Sequence, residues 1–379
     1  MVNLKDLFVT FLKLGLTAFG GPAMVAYIRE VAVERKQWLD EKTFHGGIAL
    51  AQAIPGATAM QVAAYVGLKT RGILGGLVSF VGFGMPAFLL MLFLSFLYEK
   101  TRSVSEIISV FMGLQIVVVA IIANAFLMFT KPILKSKGEL LIAFLSFLLF
   151  TLKFNPFLII LICLLLSQLI FKEETIKIEN NSKKVNLRGM AILLIALLFL
   201  LLLLFISDKT LFNIAITMIK IDCFAFGGAY ASLPLMLHEF VDRLKWIDEK
   251  TFMDGIALGQ ITPGPIVITA TFVGYLLKGY IGAIIATLAI FSPSFLIMAL
   301  ASEIDGKIKN SKIFSRAKKG LIASFSGLLL FATIKFAYTL EWNWIKLLFL
   351  SVSIFCLIKK INILYVVIIG ATISAFVFK

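Results

Sequence analysis

The chain has 379 residues, of which 60% are hydrophobic and only 15% are charged, and its mean hydropathy is +1.00. A soluble domain has roughly 45 to 50% apolar and about 25% charged residues, so this composition excludes a soluble protein. The net charge of +15 would suggest nucleic-acid binding in a soluble chain. Here the basic residues lie in short loops between apolar runs, where they orient membrane helices. The sequence therefore predicts an integral membrane protein.

The apolar runs predict an all-α polytopic membrane protein with about 13 transmembrane segments, because the longer runs reach the roughly 20 residues that a spanning helix needs. In the first half the predicted helices are Leu4 to Ile28, Gly46 to Leu68, Ile73 to Leu97, Ile107 to Phe129, Leu140 to Leu152 and Pro156 to Phe171. A polar stretch, Lys172 to Arg188, divides the chain. In the second half they are Met190 to Ile206, Leu211 to Leu237, Gly255 to Leu277, Ile281 to Leu300, Leu321 to Tyr338, Trp344 to Ile358 and Ile361 to Phe378.

The two halves repeat each other. The motifs AFGG, WLDEKTF, GIALAQAIPG and MPAF of the first half return as AFGG, WIDEKTF, GIALGQITPG and SPSF, 207 or 208 residues later. We predict an N-terminal repeat over residues 1–171, a linker with one connecting helix over 172–210, and a C-terminal repeat over 211–379. Seven predicted segments separate equivalent points, and an odd number inverts the second copy, as in many secondary transporters. If the Pro-Gly segments dip into the membrane and return, that count changes.

The basic residues predict the orientation. Alternate loops place about two thirds of them on the side of the N-terminus, Lys5, Lys69 and Arg71 among them, and put Arg35 and Lys36 on the other side. The positive-inside rule then predicts a cytoplasmic N-terminus in the cytoplasmic membrane.

Both copies carry helix-breaking residues at equivalent places within apolar runs. Glycine costs about 1 kcal/mol in a helix interior, and proline removes a backbone donor, so these breaks predict exposed backbone groups that line a cavity and bind an anion. Close helix packing or simple kinks would explain them equally in structural terms. The predicted substrate-binding residues at the breaks are Gly20, Gly21, Gln52, Pro55, Gly56, Gly227, Gly228, Gln260, Pro263 and Gly264.

Three charged residues lie inside the predicted membrane helices. Lys13 and Lys220 stand at equivalent positions, each six residues before its Phe-Gly-Gly, and a lysine at that depth marks an anion pathway or extends its side chain to the interface. Asp222, where the first copy has Gly15, is the candidate for ion coupling or for neutralising Lys220.

The remaining motifs have structural interpretations. Asp40 and Asp248, each three residues before a threonine, predict the starts of interfacial helices. The cysteines Cys163, Cys223 and Cys356 lack metal-binding spacing, so we predict no metal and no cofactor. No nucleotide-binding or hydrolase motif is present, which favours secondary transport over an enzyme.

The paired series FGGP, WLDEKTF, LAQAIPG and MPAF, answered by FGGAYASLPL, WIDEKTF, GIALGQITPGP and SPSF, resembles the chromate ion transporter family in its long, two-domain form. The resemblance implies efflux of chromate driven by the proton motive force, chromate resistance, and sulfate as a related oxyanion. It departs at Ala57, where the second copy has Pro265.

Two other functions stay open at this point. The chain could be a sulfate or organic-anion carrier that handles chromate as a mimic, or a membrane-embedded enzyme acting on lipid phosphate. The enzyme needs carboxylates clustered at one interface, and Asp40, Glu41, Asp248 and Glu249 would fall on opposite faces of inverted repeats. The expected partners are the oxyanion and the lipid bilayer, without nucleic acid, and a homodimer is compatible with the composition.

Overall fold

The computed structural model describes residues 2–17, 19, 21–172, 187–309 and 311–378. Gly20 and most of the predicted polar linker, 173–186, lie outside them. The described residues form fifteen α-helices and no strand, which confirms the all-α prediction. The helices are α1 Leu4–Thr17, α2 Gly21–Arg29, α3 Glu41–Ala51, α4 Thr58–Thr101, α5 Ser105–Ile133, α6 Lys137–Thr151, α7 Pro156–Ile170, α8 Leu187–Ser207, α9 Lys209–Phe224, α10 Ser232–Met236, α11 Glu249–Ile261, α12 Thr269–Lys309, α13 Lys312–Thr339, α14 Trp344–Ile358 and α15 Ile363–Val377.

Five stretches of this part of the chain are long and apolar enough to cross a membrane by length and composition. They are Thr58–Thr101, Ser105–Met128, Gly189–Ser207, Ile266–Glu303 and Lys312–Thr339. Three shorter apolar helices, α7, α14 and α15, accompany them. The molecule is therefore a polytopic membrane protein.

The first predicted segment, Leu4 to Ile28, folds back on itself. Helix α1 has 14 residues, a length of about 21 Å at 1.5 Å per residue, short of the roughly 30 Å of hydrocarbon. After the Phe-Gly-Gly motif the chain returns, because the Lys36 ammonium lies 2.8 Å from the Asp6 carboxylate and the Trp38 ring stacks on Phe11 at 6.3 Å. This segment is therefore a folded-back pair of helices rather than one straight crossing helix.

The Pro-Gly segment of the first repeat also returns. A Cβ atom built on Gly47 of α3 would lie 2.3 Å from the ring of Tyr65 in α4, although 18 residues separated along one straight helix would lie about 27 Å apart. Helix α3 and the start of α4 are therefore antiparallel neighbours, with Pro55 and Gly56 at the tip between them. The segment is a helical hairpin, which favours the re-entrant alternative that the sequence left open.

One correction follows for the topology. Because Lys36 pairs with Asp6, and Arg71 donates a hydrogen bond to the Val2 carbonyl, the placement of Lys36 on the side opposite Lys5 and Arg71 was wrong. If the two folded-back segments of the first repeat do not cross, five of the seven predicted crossings between equivalent points remain, which is still an odd number. The inverted relation of the repeats therefore stays a prediction.

Helices α4 and α12 each contain a tight reversal. Gly72 has φ +64° and Gly279 has φ +60°, in the left-handed region that glycine adopts without a steric penalty. On either side of the first reversal the backbones touch, since a Cβ atom on Gly67 would lie 2.1 Å from the Gly75 carbonyl oxygen. The sequence placed the boundaries of its predicted helices at these same two turns.

A substitution at Gly67 tests this reversal. Gly67→Val forces a side chain into the Gly75 backbone, which cannot yield as a flexible side chain would, and overpacking of this kind costs about 1 to 3 kcal/mol. We expect a lower thermal midpoint of the purified protein. As a control, Leu74→Val alters a side chain on the same helix that is 65% exposed, where a conservative apolar change removes no close contact. Equal midpoints for the two variants would contradict the close contact.

The helices form two compact units, and each unit draws on both repeats. Unit 1 contains Met1–Leu92, Glu173–Ala229 and Pro263–Ser315, and unit 2 contains Phe93–Lys172, Tyr230–Thr262 and Arg316–Lys379. In unit 1, α9 packs along α12. In unit 2, α5 packs against α14 and α15, where the Gly113 amide donates to Ser374 Oγ at 2.9 Å.

The predicted helix starts at Asp40 and Asp248 are confirmed, whereas their position at a membrane interface stays a prediction. Asp40 accepts a hydrogen bond from the Thr43 amide at 2.8 Å, and Asp248 accepts one from the Thr251 amide at 2.7 Å. A positive φ recurs at equivalent positions of the two copies, in the pairs Gln37 and Lys245, Lys153 and Lys360, Gly56 and Gly264, and Gly72 and Gly279. The duplication is therefore visible in the backbone as well as in the sequence.

Candidate functional site

The first Pro-Gly break is buried inside unit 1, and other elements satisfy its backbone groups. Gly56 has φ +117°, and its amide donates to the Ala225 carbonyl at 3.0 Å. The next amide, that of Ala57, donates to Ser294 Oγ at 3.0 Å. The helix stops where Pro55 and Gly56 predicted, but these two amides are occupied by protein acceptors.

Asp222 lies beside this break at the end of α9 and is fully buried. Its Oδ2 atom accepts two hydrogen bonds from Ser294, one from the amide at 2.8 Å and one from the hydroxyl at 2.7 Å. Its Oδ1 atom has no hydrogen-bond partner among the described residues. Asp222 was predicted as functional, and the structure joins it to the first break through one serine.

Gln61 adds a second buried acceptor to this cluster. Its Nε2 atom donates to the Pro55 carbonyl at 2.5 Å, while its Oε1 atom is buried without a partner in the described part of the chain. A buried acceptor without a partner costs about 1 to 3 kcal/mol. Two such oxygens therefore lie in one cluster around Gly56.

Sequence reasoning missed Ser294 and Gln61. A signal for Ser294 was present, because SPSF of the second copy replaces MPAF of the first, so Ser294 stands where the first copy has Ala87. The same comparison sets Asp222 against Gly15. Asp222 and Ser294 therefore occur only in the second copy, and a comparison of the two repeats shows this difference.

The second Pro-Gly break has the same backbone but different neighbours. Gly264 has φ +119°, and a Cβ atom built on it would lie 2.9 Å from Ala87 Cβ. Gly227 and Gly228, at φ +99° and +93°, lie in the same unit, with Thr58 Oγ1 3.3 Å from a Cβ atom built on Gly228. Among the described residues, no backbone carbonyl pairs with the amides of Gly227 and Gly264. This backbone can donate hydrogen bonds to an anion.

The two predicted lysines differ in their placement. Lys220 is half-buried on α9, two residues before Asp222, whereas Lys13 lies on the exposed side of α1, next to the buried Leu14 and Gly15. The structure therefore places Lys220 on the same helix as Asp222 and does not bring Lys13 into the cluster.

The remaining predicted site residues are dispersed. Gln52 ends α3 with an exposed side chain. Gln260 belongs to unit 2, where its buried Nε2 atom has no acceptor in the described part of the chain. Gly21 is the first residue of α2.

A second buried carboxylate, Asp254 of unit 2, was not singled out by the sequence. Tyr98 donates its hydroxyl to Asp254 Oδ2 at 2.9 Å, and Gln115 donates its amide nitrogen to Oδ1 at 2.8 Å. The side chain is 6% exposed. Because both of its oxygens accept hydrogen bonds, Asp254 of α11 links α4 and α5. The first copy has Gly46 at the equivalent position.

Ion pairs surround the start of α3. Arg29 donates to the Glu41 carboxylate at 2.8 Å and 3.0 Å and to Glu34 at 2.6 Å. The hydrogen bond from Arg29 is the main reason that the pKa of Glu41 lies below its usual value. Glu41 is therefore ionised at neutral pH, and this surface is held by charge pairs rather than presented as a free cationic patch.

The family model for chromate transporters matches residues 5–168 and again residues 212–375. The chain belongs to the chromate transporter family. The family resemblance that the motifs indicated is thereby confirmed, and it extends over both repeats.

Three individual relatives, all named as transporters or transport proteins, illustrate the match. The chain is 45% identical over 374 residues to an uncharacterized transporter of Methanocaldococcus jannaschii, covering 97% of this chain and 93% of the relative. It is 29% identical to the chromate transport protein of Pseudomonas aeruginosa, covering 89% and 82%. The uncharacterized transporter YwrB of Bacillus subtilis is 32% identical over 48% of this chain and 93% of its own length. No solved structure matches the chain.

Proposed function

We propose that this chromate transporter exports chromate from the cytoplasm, driven by the proton motive force, and thereby confers chromate resistance. The observation that carries the proposal is the cluster in unit 1, where broken segments of both repeats meet at a buried carboxylate. Broken helices around a buried charge are the usual construction of secondary transporter sites. The protein would lie in the cytoplasmic membrane with its N-terminus inside.

The proposed oxyanion donors are the backbone amides of Gly227, Gly228 and Gly264. A tetrahedral dianion loses its hydration on entering the membrane, and backbone amides replace that hydration without adding a mobile charge. Lys220 would supply positive charge from the same unit. The amides of the first break, occupied by Ala225 and Ser294, are less suited to this role. The predicted residues Gly20, Gly21, Gln52, Pro55, Gly56, Gln260 and Pro263 would shape the breaks rather than all contact the substrate.

Substitution of the two lysines distinguishes substrate binding from extension of the side chains to the membrane interface. If both bind substrate, Lys13→Ala and Lys220→Ala should each abolish transport while the protein remains in the membrane. Because Lys13 is exposed, we expect the larger loss at Lys220. Chromate accumulation is measured with each variant at matched membrane abundance. Wild-type transport by both variants would remove the lysines from the site.

The proposed function is tested by radiolabelled chromate accumulation in cells that express the chain, compared with empty-vector cells. Efflux predicts lower accumulation, and a protonophore should abolish the difference. Excess sulfate tests the alternative that sulfate or another anion is the physiological substrate. An unchanged accumulation, with membrane insertion established, would overturn chromate export.

Uptake in inside-out vesicles tests the direction. An exporter accumulates chromate in vesicles whose former cytoplasmic face is outside, when an acidic interior is imposed. Accumulation only in right-side-out vesicles would instead establish import. The oligomeric state, proposed as monomer or homodimer, is measured on the same preparation by light scattering.

A further inference from the structure

The two Pro-Gly breaks have nearly the same φ angle at their glycines. The neighbouring side chains are polar at the first break and apolar at the second. At Gly56, Ser294 Oγ lies 2.1 Å and Gln61 Nε2 lies 2.8 Å from the position that a Cβ atom would occupy. Around Gly264 the corresponding neighbour is the methyl group of Ala87. Duplicated elements with different side chains at equivalent positions can bind different ligands.

The first break is rich in acceptors. Two carboxylate and amide oxygens, Asp222 Oδ1 and Gln61 Oε1, are buried without partners among the described residues, and both side chains are 0% exposed. The Pro55 and Ala225 carbonyls receive hydrogen bonds in the same cluster. An oxyanion would add acceptors to acceptors, whereas a cation would satisfy them.

The charge of the cluster indicates the class of cation. Asp222 supplies a single negative charge, and no group of three or more His, Cys, Asp or Glu side chains that could hold a metal occurs in the described part of the chain. Divalent cations with oxygen ligands generally use more carboxylate charge than this. One carboxylate with an amide oxygen fits a monovalent cation.

We propose that Asp222 and Gln61 form a binding site for a small monovalent cation, a sodium ion or a proton, at the first break. The second break has no carboxylate beside it, so its backbone amides can donate hydrogen bonds to the oxyanion. The role of this cation in coupling rests on the proposed transport function, but its binding does not.

The surroundings of Asp222 contain few competing charges. On its own helix the ionisable neighbours are Lys220 and Cys223. Helix α12, packed along α9, has no ionisable residue between Tyr280 and Glu303, and the chain around the first break has none over 46–64. Helix α8 contributes only Arg188. A pH or sodium response of this site is therefore assigned to Asp222.

The proposed site gives a physical reason for coupling. Thr58, two residues from Gly56, lies beside Gly228, so the acid and the candidate oxyanion amides belong to neighbouring parts of unit 1. An ionised Asp222 repels a dianion, and a bound cation removes that repulsion. The oxyanion then binds the cation-loaded protein more tightly, and by linkage the cation binds the oxyanion-loaded protein more tightly to the same degree.

The test measures cation binding to the purified full-length protein without any oxyanion. Thermal unfolding is followed at increasing sodium chloride, with choline chloride keeping ionic strength constant, at several pH values. A ligand that binds only the folded state raises the midpoint with its concentration. We expect sodium to raise it in the wild type, or, if the ligand is a proton, acidification to raise it and sodium to have no effect.

Matched variants localise the effect. Asp222→Asn should abolish the sodium response or, if the ligand is a proton, reduce the acid response, since the buried Asp254 also takes up a proton. Gln61→Met should weaken the response about tenfold, equivalent to about 1.4 kcal/mol of binding. Asp254→Asn, a buried carboxylate with both oxygens paired, should retain the response even if its midpoint falls. A wild type that responds to neither ion, or an Asp222→Asn protein that responds like the wild type, would overturn the proposal. If Asp222→Asn does not fold, an unweakened response in Gln61→Met overturns it. Failure of chromate export leaves this binding test intact, so the two proposals fail separately.

Discussion

Gly56→Ala is expected to reduce chromate transport at least about tenfold while leaving the protein in the membrane. The added methyl group would lie 2.1 Å from Ser294 Oγ, and φ +117° is unfavourable for any residue with a Cβ atom. Overpacking alone costs about 1 to 3 kcal/mol, and each 1.4 kcal/mol lowers the population of the intact site tenfold. Initial rates of chromate transport at equal membrane abundance measure the effect.

Gly72→Ala is the matched control for this substitution. It also places a methyl group on a left-handed glycine, at φ +64°, but no atom lies within 4 Å of it. Backbone strain alone should lower stability by about 1 to 3 kcal/mol, but without a contact to Ser294 we expect near-normal transport. If both alanine variants transport alike, the contact between Gly56 and Ser294 has no part in the mechanism.

Asp222→Ala is expected to abolish transport. The substitution leaves the amide and the hydroxyl of Ser294 without their shared acceptor, and each unpaired buried donor costs about 1 to 3 kcal/mol. Ser294→Ala should have a smaller effect, because Asp222 keeps the hydrogen bond from the amide of residue 294, although the Ala57 amide loses its acceptor. Transport rates and thermal midpoints are measured for both variants and for the double variant.

The double variant distinguishes a shared network from two independent effects. Residues in one hydrogen-bond network have coupling energies of about 0.5 to 3 kcal/mol, so the double variant should lose less stability than the sum of the single losses. Asp208→Asn provides the control, since Asp208 forms a half-exposed ion pair with Lys278 and surface pairs contribute little. Additive losses at positions 222 and 294 would contradict the network.

The membrane class, the helical fold and the places of the breaks could be predicted from the sequence, because proline and glycine act locally on the backbone. The return of the chain after Phe-Gly-Gly could not. An apolar run from Leu4 to Ile28 has the length of a crossing helix, and only the contact of Lys36 with Asp6, 30 residues apart, shows that it folds back.

The candidate site was predictable in part for the same reason. Asp222 is conspicuous as a charge in an apolar run, and its importance follows from the cost of burying it. Ser294 and Gln61 are ordinary polar residues in membrane helices, so only their tertiary contacts distinguish them. Lys13 shows the reverse error, since its match to Lys220 in the repeat does not fix the direction in which its side chain points.

The construction of unit 1 has a genetic consequence. Its segments come from both copies of the duplicated sequence, and the Ala57 amide of the first copy depends on a serine 237 positions away in the second. Neither repeat can accumulate substitutions independently at these positions, because a side chain at Gly56 would occupy space that Ser294 uses. Exchanging one half of the gene for the corresponding half of a distant relative should therefore fail more often than exchanging both, even where each half is acceptable in its own protein.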